Sequence, residues 1–408
     1  MFENILHQGA VRDIEVSLKK GDLPRGLLFS GERASAKLTA ALELARVLSC
    51  DPKDQGQPRG RWDCECPSCA RHRQLVSQDL LLAGERPCLP EIAAARASLL
   101  GARETGAPYT QALRFLFLRG VRKLTARFTP VLWGDHRDAA KISSLTSDIE
   151  ERLEELSLRR DLPAPEKLTT LTAKVEESCR KLEGEFLYTA LPVSHVRAIS
   201  SWARITTGGK KKTVIIEGAE KIQEGARNAL LKILEEPPEG VQFILTTANR
   251  QALMPTILSR VRTYRFDSRT EKEQGEVLQR IFHIQGDFPS ITAYLDTFLP
   301  VNPAAVTALG RDFAERLLAG ERPDTKALCR EANNFDPPAL VPAFFSGITG
   351  ALKGRLTSAR GFQAQREAEF AAQAIRRLSD AQTRMGPYNQ NPALALDLLA
   401  RDILAALK

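Results

Sequence analysis

Apolar residues recur along this chain in two rhythms. Short unbroken apolar runs stand at Gly26-Leu27-Leu28-Phe29, Asp79-Leu80-Leu81-Leu82-Ala83, Thr213-Val214-Ile215-Ile216 and Gln242-Phe243-Ile244-Leu245-Thr246, a pattern that predicts strands buried on both faces. Elsewhere the spacing becomes helical. Lys37 to Leu48, rich in Ala and Leu, follows the first run across a small-residue loop from Ser30 to Ala36, and a second helix is expected over about Glu224 to Glu235, where Pro237-Pro238 ends it. Strands alternating with helices predict an α/β fold with a largely parallel sheet.

Between the second and third runs, about Cys88 to Leu191, the rhythm differs. Ile142, Leu145, Ile149 and Leu156 keep near-heptad spacing. Leu168, Leu171, Val175, Leu182 and Phe186 resume it after Pro163-Ala164-Pro165, which predicts a helical hairpin. A partner-binding arm and a packed structural insert both fit. Before the hairpin, Arg114, Arg119, Arg122, Lys123 and Arg127 interleave with Phe115, Phe117 and Phe128. That suits a face touching DNA, and equally a helix with one apolar and one basic, solvated side. From about Thr270 onward strand signals fade and helical patterns separated by Pro and Gly predict an all-α end.

At 408 residues the chain is long enough for two or three compact units. Its formal charge of +8 suits work beside nucleic acid, and a solvated basic surface gives the same total. No apolar run approaches the roughly 20 residues that span a bilayer. Met1-Phe2-Glu3-Asn4 carries no signal pattern, so a cytoplasmic protein is expected. Of seven cysteines, Cys50, Cys64, Cys66 and Cys69 crowd together. In a reducing compartment such a cluster points to metal rather than disulfides. Cys88, Cys179 and Cys329 are isolated and read as ordinary thiols.

Gly31-Glu32-Arg33-Ala34-Ser35-Ala36-Lys37-Leu38 has the frame of a phosphate-binding loop with its lysine in place. A working loop needs a last glycine, so that backbone N–H groups close around phosphate, and a hydroxyl after the lysine to hold Mg²⁺. Here those positions are Ala36 and Leu38. Thr39 is rotated by about 100° along the helix and does not replace the hydroxyl. A strand-to-helix turn without ligand fits as well. At the end of the third run, Glu217-Gly218 stands where such ATPases place an acidic pair for Mg²⁺ and the attacking water.

Three further stretches are more specific: Asn228-Ala229-Leu230-Leu231-Lys232-Ile233-Leu234-Glu235-Glu236-Pro237-Pro238, Thr246-Thr247-Ala248-Asn249, and Leu253-Met254-Pro255-Thr256-Ile257-Leu258-Ser259-Arg260-Val261. Ile5-Leu6-His7-Gln8 and Tyr388-Asn389-Gln390-Asn391-Pro392 before Leu394 to Leu399 add to them. Together they resemble the clamp-loader subunits of bacterial DNA polymerase III, in the AAA+ superfamily. The likeness is greatest to the delta-prime type, with gamma/tau as its relative. It implies an AAA+ core at 1–87 and 190–268 with a zinc module at 50–69, a helical insertion at 88–189 foreign to the family, a helical lid at 269–325 and a C-terminal helical collar at 326–408. It also implies a degenerate nucleotide site at Gly31, Ala36, Lys37, Leu38, Glu217 and Asn249, with ATP and Mg²⁺ in doubt there.

In the family the arginine matching Arg260 projects into the ATP site of a neighbouring subunit, and the cysteine that follows it is Val261 here. A structural Zn²⁺ on Cys50, Cys64, Cys66 and Cys69 is implied too, although Asp63 stands where the spacing expects sulfur and His72 is an alternative ligand. The implied function is that of a non-hydrolysing stator in a five-subunit ring with gamma/tau and delta subunits, loading a sliding clamp on primer–template DNA with no membrane role. A gamma/tau-type ATPase motor and a non-enzymatic DNA-binding or scaffold protein are the alternatives.

Overall fold

The computed structural model describes residues 1–52, 59–205, 211–284, 286–335, 340–358, 362–385 and 391–407; the expected motif residues Tyr388 to Gln390 lie outside them. Five strands, β1 (Gly26–Ser30), β2 (Leu80–Ala83), β3 (Lys212–Ile216), β4 (Val241–Thr247) and β5 (Arg262–Arg265), form one sheet in the order β2-β3-β4-β1-β5, every pair parallel. The four apolar runs are the first four strands. β5, Arg-Thr-Tyr-Arg, escapes the pattern because only Tyr264 is buried on this edge strand.

Alternation along the strands feeds two cores. Leu27, Phe29, Ile215 and Ile244 face one side, where they meet α1 (Ala10–Lys20) and α2 (Lys37–Leu48) through Ile14, Leu38 and Leu42. Leu28, Val214, Ile216, Phe243 and Leu245 face the other. Cover on both sides is why the strands read as unbroken apolar runs. A short α3 (Pro67–Arg73) lies against α2.

The 88–189 segment holds more than a hairpin. It forms α4 (Leu89–Glu104), α5 (Thr110–Thr125), the single turn α6 (Pro130–Trp133), α7 (Ala139–Glu155) and α8 (Pro165–Phe186). The heptad residues Ile142, Ile149, Leu156, Leu168, Val175 and Leu182 are buried where α7 meets α8. This bundle shares its core with the second face of the sheet, α9 (Val193–Arg204) and α10 (Glu224–Glu235). The segment therefore packs onto the sheet instead of projecting as an arm.

Both readings of the basic run on α5 are corrected. Arg114 is fully buried and donates to the carbonyls of Leu156 at 2.8 Å, Ser157 at 2.5 Å and Arg160 at 3.0 Å, satisfying the C-terminal end of α7. Arg119 donates to the Arg73 carbonyl at 2.5 Å, Arg122 pairs with Glu150 at 3.3 Å, Lys123 pairs with Glu91 and Arg127 with Glu217. The charges point inward because their partners stand on neighbouring helices, Arg73 on α3, Glu91 on α4 and Glu150 on α7.

α11 (Pro255–Leu258) lies between β4 and β5; after β5 come α12 (Glu271–Phe282) and α13 (Ile291–Asp296), then α14 (Pro303–Leu318), α15 (Thr325–Glu331), α16 (Leu340–Ser358), α17 (Phe362–Met385) and α18 (Pro392–Leu407). The chain divides into two compact units, Met1–Leu295 and Asp296–Lys408. That division falls inside the stretch 269–325 that the sequence treats as one lid. The second unit has its own core around Phe313, Phe344, Ile348, Leu396 and Leu399. Among the described residues no helix is long and apolar enough to cross a membrane.

Candidate functional site

The register Ser30↔Thr247 and Ile216↔Leu245 brings the carboxyl ends of β1, β4 and β3 side by side. The loops that leave them occupy the edge where parallel α/β sheets bind ligands. The β1–α2 loop keeps its phosphate-loop path: Ala34 and Ala36 hold left-handed backbone at φ 59° and 69°, which favours glycine. Gly31 is needed for close approach, since a Cβ there would lie 2.4 Å from the Phe266 carbonyl oxygen.

Lys37 turns back on this loop. Its Nζ donates to the carbonyl of Gly31 at 2.6 Å, to that of Glu32, and to Ser35 Oγ at 3.2 Å. Burial, helped by the charge of Arg86, pushes its ammonium down to about 8 against the opposing pull of Glu217, Glu220 and Glu32. Leu38 points into the core and is 4% exposed. Gly218 sits at φ 65° where a Cβ would meet Glu85 Oε1 at 2.9 Å. Asn249 is exposed past β4, and its Oδ1 accepts from the Gln251 N–H at 3.1 Å. Glu217 is buried and paired with Arg127 of the helical segment. The structure thus groups Lys37 and Glu217 at one edge, while Asn249 caps its own turn.

Arg260 follows α11. It donates to the Thr256 carbonyl at 2.7 Å and to Ser259 Oγ at 3.1 Å, and pairs with Glu235 at the end of α10.

The four clustered cysteines converge, with all four sulfurs within 4.8 Å of one another and Cys50 Sγ 3.7 Å from Cys64 Sγ. That separation rules out a disulfide between them. It matches the roughly 3.8 Å between thiolates that a tetrahedral ion with metal–sulfur bonds of about 2.3 Å requires. Three of the four are buried. Burial opposes ionisation of Cys66, but N–H groups of Cys69 and Asp51 outweigh it and bring the thiol down to about 7. Asp63 instead pairs with Arg61 at 2.6 Å on the surface, and His72 bonds Ser77 at 3.2 Å outside the cluster. Arg46, 2% exposed on α2, was not legible as part of this site. It donates to Cys69 Sγ at 3.0 Å and to the Gly60 carbonyl at 2.8 Å, and Glu43 holds it at 2.6 Å. Its position four places before Cys50, in the Ala- and Leu-rich second half of α2, is the sequence signal that could have found it.

A parallel five-stranded sheet with a phosphate-loop frame at the end of β1, in helix-rich surroundings, defines an α/β fold that fits the AAA+ clamp-loader class. The chain belongs to the DNA polymerase III clamp-loader family: the model of the family described as "DNA polymerase III, delta subunit" matches residues 6–129 and 180–270. A DNA polymerase III subunit delta' of Haemophilus influenzae is 26% identical over 194 residues, 43% of this chain and 54% of that protein. The delta' subunit of Buchnera aphidicola is 45% identical over 65 residues, 16% of this chain and 20% of that protein. A gamma/tau subunit of Mycobacterium bovis is 36% identical over 75 residues, 18% of this chain and 13% of that protein. The chain thus aligns with about half or less of the length of these relatives.

Proposed function

We propose that this chain is a delta-prime-type stator of a clamp loader, with a degenerate nucleotide site, acting beside gamma/tau and delta subunits to place a sliding clamp on primed DNA. The observation that carries this reading is the loop itself. Lys37 is spent on the carbonyls of its own loop and Leu38 is buried where a Mg²⁺-binding hydroxyl would stand. With Gly218 in place of the second acid, the residues present do not fit Mg²⁺·ATP hydrolysis. In this reading the 1–87 and 190–268 segments are the AAA+ core, 269–325 a lid and 326–408 a collar. Arg260, at the surface beyond α11, is the arginine offered to a neighbour's ATP. Its pairing with Glu235 holds it until that neighbour is present.

The cysteine cluster suits Zn²⁺, which Cys50, Cys64, Cys66 and Cys69 would hold as a closed structural site. When bound it supplies a crosslink between the end of α2 and α3, while Arg46 offsets thiolate charge. The basic run on α5 gives the DNA-binding scaffold reading no support, because its side chains are engaged inside the protein.

The test is ATP hydrolysis by the purified chain, alone and mixed with gamma-type, delta-type and clamp subunits. No turnover alone, with assembly into a loader, is the expected result. Steady turnover by the isolated chain that Lys37→Ala abolishes would favour a gamma/tau-type motor and overturn the stator reading.

A further inference from the structure

Glu217 is the carboxylate left at the end of β3, and both of its oxygens already face cations. Oε2 is paired with Arg127, itself 1% exposed, and Oε1 lies 3.8 Å from Arg86 Nη1. Arg127 stands two residues past the end of α5, inside the helical segment. Its backbone carbonyl accepts from Trp133 Nε1 at 2.8 Å, and Trp133 packs on Phe128, Tyr188 and His195. The pair continues into a partly buried network, with Arg86 on Glu91 at 2.8 Å and Lys123 on the other oxygen of Glu91. Those two cations outweigh burial and draw the Glu91 carboxyl down to about 2. Tyr188 also accepts from the Gly84 N–H at 3.1 Å, tying the end of β2 to the end of α8.

We propose that Arg127 is the resident cation of the degenerate nucleotide site, so that the end of β3 serves as a socket for the helical segment that carries it instead of a seat for Mg²⁺·nucleotide. This rests on reading the β1–α2 loop as a vestigial nucleotide site. A divalent ion at Glu217 would have to displace a buried guanidinium and then sit beside Arg86, and each step leaves a charge uncompensated in low dielectric. Because arginine does not deprotonate in proteins, raising the pH does not open the socket. The acid at the end of β3 is therefore explained without nucleotide: it anchors the α5–α6 stretch to the sheet.

The test is hydrogen–deuterium exchange of the intact chain, with thermal melting in Mg²⁺·ATP, on wild type, Glu217→Gln, Arg127→Met, the double variant and Lys37→Ala. Either single change is expected to speed exchange of amides in 110–133 at least about tenfold, since each takes the direct partner from a buried charge. The double variant should lie between the single variants and wild type, and Lys37→Ala should leave that segment unchanged. Millimolar Mg²⁺·ATP should not raise the wild-type melting temperature. If the single variants do not fold, the double variant carries the test, and wild-type exchange in its 110–133 segment overturns the proposal. So does a Mg²⁺·ATP-induced rise in wild-type melting temperature that Glu217→Gln abolishes. That second result without turnover would refute the socket alone, whereas Lys37-dependent turnover would refute the stator reading.

Discussion

Two residues of the loop are of types that a working nucleotide site does not place there. Ala36 holds φ 69°, which costs an alanine about 1–2 kcal/mol over glycine. Ala36→Gly should therefore stabilise the chain by about 1 kcal/mol in urea denaturation without conferring ATP hydrolysis. Leu38→Thr, which puts a hydroxyl into the core, should cost about 2 kcal/mol and likewise restore no turnover. His195 offers a pH test. Wedged edge-on between Trp133 at 4.8 Å and Tyr188 at 5.0 Å, it is pushed down to about 4 by burial and by the charge of His136. The unfolded imidazole, near its ordinary 6.5, takes its proton first, so stability is present above that pH and lost as pH falls towards 4. The loss amounts to up to about 2–3 kcal/mol. Glu183, which burial raises to about 7, opposes this over the same range. The measurement is thus the difference between wild type and His195→Phe at pH 7 and pH 5, and it should shrink or reverse in favour of the variant as pH falls.

At the scale of elements, the cysteine module and one helix crossing make the clearest predictions. Intact chain purified under reducing conditions without chelator should carry about one Zn²⁺. Cys66→Ser should lose the metal and lower stability, as followed by metal analysis and thermal melting. In the second unit α14 and α16 touch backbone to backbone: a Cβ at Gly310 would lie 2.0 Å from the Phe344 carbonyl oxygen, and one at Gly347 the same distance from that of Thr307. Gly310→Ala should therefore destabilise that unit by about 2–3 kcal/mol, read from the loss of helical circular dichroism on heating. Nothing in the helical pattern singled out these glycines, because spacing along one helix carries no information on how closely a second one approaches. The helices and buried strands themselves were legible. α2 and α10 fall where periodicity and the Pro237-Pro238 stop placed them, since their signals are local.

For the whole molecule, the test is assembly. Arg260→Ala should leave the chain folded, because it removes a pairing with Glu235 at a site where the arginine is 30% exposed and such pairs contribute little. In a reconstituted loader the same variant should lower DNA-stimulated ATP hydrolysis and clamp loading several-fold, less than the roughly 10³ to 10⁵-fold of a sole arginine finger. Arg260→Lys should rescue poorly. Wild-type loading by the alanine variant would make Arg260 a structural residue. The sequence by itself determined the parallel α/β core, the phosphate-loop frame with its missing glycine and hydroxyl, and the grouping of four cysteines. Each of these is written in residues near one another along the chain or in a motif of fixed spacing. Only the tertiary structure decided where the basic run on α5 points, what Glu217 holds, how Arg46 meets Cys69, and that the 88–189 helices pack on the sheet. The three charged contacts join residues from 23 to 90 positions apart, and a charged side chain reads the same in sequence whether water or a buried partner satisfies it.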